Sequence, residues 1–126
     1  MPRYAIPAPE EASLAIAGSD ELFPVHRIYC VGRNYAAHAR EMGSDPNREP
    51  PFFFCKPADA LVPDRATMAY PLATKSLHHE VELVVALKSG GRNIPVDKAT
   101  GCIFGYAVGI DLTRRGEGQV GEIHLH

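Results

Sequence analysis

Apolar residues fall along this chain in short runs broken by glycine, proline and small polar residues. Most runs alternate as strands do. Residues 1–20 are rich in Pro, Ala and Glu and read as a loose arm, with one short strand around "SLAIAG". "HRIYCVG", 26–32, is a β-branched and aromatic run closed by Gly32, and so a strand. Asn34 then caps a predicted helix over 35–42, where Tyr35, His38, Ala39 and Met42 share one face, and Gly43 ends it. "FFFCKP", 52–57, is a short buried strand stopped by Pro57. Residues 58–76 read as loop with one edge strand. Residues 78–91 read as a strand running into a Gly-Gly turn. Pro95 and Gly101 bracket one helical turn. "CIFGYAVGIDLT", 102–113, is a glycine-interrupted strand, and glycine inside a strand marks a bend or a close backbone approach. Strands dominate, with one or two short helices, so the class is mainly β or α+β.

Composition narrows the field. The chain has 126 residues, 45% hydrophobic and 22% charged, with a formal net charge of -2, which suits one globular domain. There is no basic block, so neither nucleic acid nor an acidic membrane surface is an expected partner. The longest apolar run is too short to span a bilayer, and the N-terminus has no apolar signal core. Cys30, Cys55 and Cys102 are odd in number, widely spaced and set in apolar strings. They read as buried free thiols in a reducing cytoplasm.

One stretch breaks the pattern. "LHHEVELVVAL", 77–87, puts Glu80 and Glu82 into an otherwise apolar strand. Residues two apart on a strand point the same way, roughly 7 Å apart along it. Val81, Leu83, Val85 and Leu87 then form one wholly apolar face, expected to be core. Glu80, Glu82, Val84 and Ala86 form the other, expected to wall a pocket with the carboxylates at its mouth. Two carboxylates on one side call for a cation between them, or for a proton on one. The alternative is an edge strand that holds both glutamates in water. Asp111 ends a second apolar run after two glycines and fits a third ligand. Three oxygen ligands without a cysteine point to Mg²⁺, Mn²⁺ or Ca²⁺ rather than zinc. His78 falls on the acidic face and can orient a ligand, or simply meet a neighbouring backbone group. His79 falls on the opposite face. The H-E-x-x-H zinc spacing is absent.

On the predicted helix, His38 and Glu41 are three apart and so are neighbours. Alone they suit an ordinary surface pair. Beside a metal site they suit deprotonation of water, with the carboxylate holding the imidazole tautomer.

"RIYCVGRNYAAHAREMG", "PPFFFCKPADALV", "HHEVELVVAL" and "GYAVGIDLTRR" occur in that order over about residues 20–115. Together they resemble the fumarylacetoacetate hydrolase family, and in wording its bacterial branch that cleaves fumarylpyruvate in gentisate breakdown. The resemblance implies part of a mixed β-sheet roll. It divides the chain into an arm at 1–20, a catalytic portion at 21–115 and a non-family tail at 116–126. It places Glu80, Glu82 and Asp111 on the family's divalent-metal carboxylates, usually with Mg²⁺ or Mn²⁺. It places His38 and Glu41 on the catalytic His–Glu pair, and Lys56 on a lysine near the site. Arg33 and Arg115 take positions compatible with holding substrate carboxylates; plain surface charge is the alternative for Lys56 and both arginines, and a serious one for Arg115.

The implied reaction is hydrolysis of a carbon–carbon bond in an acylpyruvate, a small diketo acid, such as fumarylpyruvate to fumarate and pyruvate. Oxaloacetate decarboxylation or keto-acid isomerisation within the same family, or a truncated non-catalytic fragment, are the other readings. Family members are expected to form homodimers and to continue well past "TRR", whereas this chain reads "TRRGEGQVGEIHLH", a tail in which no strand or helix pattern is expected.

Overall fold

A computed structural model of the chain describes residues 1–32, 50–63, 66–72 and 76–114, and the backbone of 121–125. Two compact units divide at Asp59/Ala60.

The first unit, Met1–Asp59, holds two antiparallel strand pairs. β1 (Ser13–Ala15) pairs with β2 (Leu22–Pro24), and Val25 N–H donates to the Ala12 carbonyl at 2.8 Å to extend the ladder. Gly18 takes the turn with φ 73, a conformation that costs a glycine little, and the Ser19 hydroxyl accepts from the Glu21 N–H. A strand around "SLAIAG" was expected; β2 was not, because its three residues are too few to show a period.

β3 (Ile28–Gly32) pairs with β4 (Phe52–Lys56), with Ile28 opposite Lys56 and Gly32 opposite Phe52. Directly opposed residues share a face. Ile28, Cys30, Gly32, Phe54 and Lys56 are on the better covered face, whereas Tyr29, Phe53 and Cys55 on the other are exposed. Gly32 is bare for a steric reason. A Cβ there would run into the Phe52 ring, which lies across it and stands 6.2 Å from the Phe54 ring.

The second unit, Ala60–His126, is built on a four-stranded sheet in the order β5-β8-β7-β6. β6 (Leu77–Leu87) and β7 (Ile103–Arg114) form its long antiparallel ladder, broken by one irregularity at Ala86/Leu87. Their connection carries Gly90 and Gly91, Asn93 in the left-handed region, α1 (Val96–Ala99) behind Pro95, and a 3-10 turn over Thr100–Cys102. Lys88 N–H donates to the Cys102 carbonyl at 2.9 Å and closes the loop at its base. β5 (Leu61–Val62) pairs in parallel with β8 (Gly121–Leu125), which pairs antiparallel with β7.

Two expectations fail. β8 lies in the tail that was expected to carry no strand. Its backbone is ordered by hydrogen bonds to β5 and β7, a long-range cause that its own residues do not display. The face of Val81, Leu83, Val85 and Leu87, expected to be core, is exposed, with Val81 67% and Leu83 63% accessible. Phe104, Tyr106 and Val108 of β7 continue the same exposed face. Alternation sorts side chains onto two faces, but a second layer must cover one of them, and within this unit no described residue covers this face. No helix among the described residues is long and apolar enough to cross a membrane. The three cysteines form no disulfide, and none is fully buried as the sequence suggested: Cys55 is exposed, and Cys30 and Cys102 are half-buried.

Candidate metal centre

The β6–β7 register builds the site. Glu80 stands opposite Asp111, and Glu82 stands opposite Gly109. The pairing therefore carries both glutamates and the aspartate to one face of the sheet. One carboxylate oxygen from each of Glu80, Glu82 and Asp111 lies within 4.8 Å of the others. Asp111 is 8% accessible and both glutamates are half-buried.

β6 is an edge strand of its sheet, as one alternative supposed, but its glutamates do not project into bulk water. Edge position is set along the hydrogen-bonding direction. Burial of a side chain is set perpendicular to it.

Three carboxylates so close repel by on the order of a few kcal/mol per pair at an effective dielectric of ~20. A bound divalent cation offsets that repulsion. Opposed oxygens around Mg²⁺ stand about 4.0–4.2 Å apart and around Ca²⁺ about 4.6–5.2 Å, so the observed spacing admits a cation of this class. The donor set is all oxygen, with no thiolate, which suits a hard ion. The residues present fit the group.

His78 is exposed, and one ring nitrogen, Nε2, stands 3.3 Å from the Ser76 hydroxyl. His79 is exposed on the other face. Lys56 is 7% accessible at the end of β4, in the first unit. Arg33, His38, Glu41 and Arg115 lie outside the described residues, as does the helix expected over 35–42. Among the described residues, sequence reasoning missed the place of Gly109. Its signal was present as a glycine two residues before Asp111, but only the strand pairing shows that it faces Glu82.

Residues 27–120 match the family described as fumarylacetoacetate (FAA) hydrolase C-terminal. The chain belongs to the fumarylacetoacetate hydrolase family. It is 48% identical to the fumarylpyruvate hydrolase of Pseudomonas aeruginosa, solved in complex with Mn²⁺ and pyruvate, with a TM-score of 0.87 over 98% of this chain and 62% of that one. It is 44% identical to the mitochondrial oxaloacetate tautomerase FAHD1 of Arabidopsis thaliana, over 71% of this chain and 40% of the relative. It is 43% identical to the oxaloacetate tautomerase YcgM of Escherichia coli, over 74% of this chain and 42% of the relative. The chain thus spans less than half the length of these two relatives. Mainly β architecture with one short described helix agrees with a partial fold of this family.

Proposed function

We propose that this chain supplies the metal-binding carboxylates of an acylpyruvate hydrolase whose substrate is a 2,4-diketo acid, fumarylpyruvate above others. The observation that carries the reading is the convergence of Glu80, Glu82 and Asp111 oxygens within 4.8 Å. The similarity to a fumarylpyruvate hydrolase solved with Mn²⁺ and pyruvate supports the substrate class, since pyruvate is a product of that cleavage.

In this reading Glu80, Glu82 and Asp111 hold Mg²⁺ or Mn²⁺. The ion, when bound, supplies a fixed positive charge that favours the enolate leaving group. His38, oriented by Glu41, takes a proton from water. The water oxygen bonds to the carbonyl carbon at position 4, and the bond from that carbon to carbon 3 breaks. Carbon 3 leaves with the electron pair and regains a proton, so one water yields fumarate and pyruvate. Lys56 is a candidate donor to the oxygen of the attacked carbonyl. Arg33 and Arg115 are candidates for the substrate carboxylates.

A second reading, action on oxaloacetate, is supported by the two tautomerase relatives. Ultraviolet assays with Mn²⁺ separate the two. Loss of the fumarylpyruvate band supports the hydrolase. Enol–keto conversion of oxaloacetate without fumarylpyruvate loss supports the second. Metal binding with no turnover of either overturns both activities for this chain and leaves a non-catalytic metal-binding portion.

A further inference from the structure

We propose that His78 and Thr113 hold the distal carboxylate of a dicarboxylic substrate whose 2-oxo acid end chelates the ion at Glu80, Glu82 and Asp111. This inference rests on the metal-binding reading above and assigns the residues that select a diacid.

The face that carries the ligands changes character along its length. Beyond Glu82 it holds only small or apolar residues, Val84 and Ala86 with Ala107 and Gly105 opposite, all half-buried. In the other direction, the next pair on this face after Glu80 and Asp111 is His78 opposite Thr113. His78 is exposed and Thr113 is half-buried. The Ser76 hydroxyl stands 3.3 Å from His78 Nε2. When that hydroxyl donates, Nδ1 carries the ring proton and can donate to an anion.

A carboxylate lying against Val84, Ala86 and Ala107 would lose water and gain no donor from them. Beside His78 and Thr113 it meets an N–H and an O–H and stays near solvent. Of the two ends of this face, only one therefore suits a second carboxylate. Reach agrees. His78 is two residues from Glu80, roughly 7 Å along the strand. An extended seven-carbon diacid spans roughly 8 Å between its end carbons, at ~1.5 Å per bond. With one end on the ion, the other comes within range of the imidazole.

The experiment is calorimetric binding of two probes to the purified full chain loaded with Mn²⁺. One is 2-oxoheptanedioate; the other is 2-oxoheptanoate, which lacks the distal carboxylate. Both carry the same chelating end, and neither has the second carbonyl whose attack leads to cleavage. The diacid is expected to bind the wild type about 10-fold tighter, as suits hydrogen bonds to a charged group. His78→Ala should bring the two probes within about twofold, and Thr113→Val should lower the preference about threefold. His78→Gln keeps a donor and should retain part of the preference. His79, exposed on the opposite face, is the control, and His79→Ala should leave the preference unchanged. Mn²⁺ affinity itself should stay within about twofold in all four variants, which separates contact with the substrate from a role in holding the ion.

The proposal is overturned if the wild type binds both probes equally or binds neither, if His78→Ala keeps the preference, or if His79→Ala loses as much. It is also overturned if His78→Ala loses Mn²⁺ affinity to the same degree. If the wild type shows no saturable Mn²⁺ binding, the metal reading fails and this inference with it. If the wild type binds Mn²⁺, Glu82→Ala does not, and the two probes bind alike, only this inference fails.

Discussion

The two faces of the β6–β7 ladder come from the same two strands and meet opposite fates. One carries Glu80, Glu82 and Asp111 beside Val84, Ala86, Gly105, Ala107 and Gly109, all buried or half-buried, with only His78 exposed at its end. The other carries Val81, Leu83, Val85, Leu87, Phe104, Tyr106 and Val108, and every one of these is exposed. By transfer free energy alone the faces should be the other way round. Small residues explain part of the first case, because side chains with little surface are easily covered by their own neighbours. The acids among them are held close to one another, an arrangement whose cost a bound cation would offset. Large apolar side chains instead need a partner layer of matching size.

The comparison breaks most decisively at Glu82. Glu82→Ala removes one of three oxygen donors and is expected to abolish measurable Mn²⁺ binding by calorimetry. Unchanged affinity would mean that the acidic face binds no ion through this strand.

Closure of a face can be probed away from the site. On the β3–β4 pair, a Cβ at Gly32 would strike the Phe52 ring, whereas one at Gly105 meets open space. Gly32→Ala is expected to cost about 1–3 kcal/mol in denaturant unfolding, the usual penalty for overpacking. Gly105→Ala is expected to stay within about 0.5 kcal/mol of the wild type. Equal effects at the two sites would show that the Gly32–Phe52 packing carries no weight.

The smallest expected effect is on the exposed face. Leu83→Lys should change stability by no more than about 0.5 kcal/mol and leave Mn²⁺ affinity unaltered, while reducing binding of a hydrophobic fluorescent dye. A marked drop in Mn²⁺ affinity would show that the two faces are not independent.

How much of this was legible differs from element to element. The strands over 28–32, 52–56, 77–87 and 103–114 follow from β-branched and aromatic runs with turn residues at their ends, all local signals. Alternation alone placed Glu80 and Glu82 on one side of a strand. The end of an apolar run singled out Asp111. The family resemblance, carried by four ordered motifs, agrees with the family match over residues 27–120. Not legible were β2 and β8, the first for its brevity and the second because its order comes from distant partners.

By itself, then, the sequence determined which residues can be strands, which side of a strand each occupies, and which side chains have the chemistry for a hard cation. Tertiary structure decided that Asp111 meets Glu80 and that Gly109 meets Glu82, that β6 lies at an edge with its acids half-buried, and that the most apolar face is the open one. The physical reason is range. Side-chain alternation repeats every two residues and is written in neighbours, whereas register and cover depend on hydrogen bonds and surfaces brought together from far along the chain.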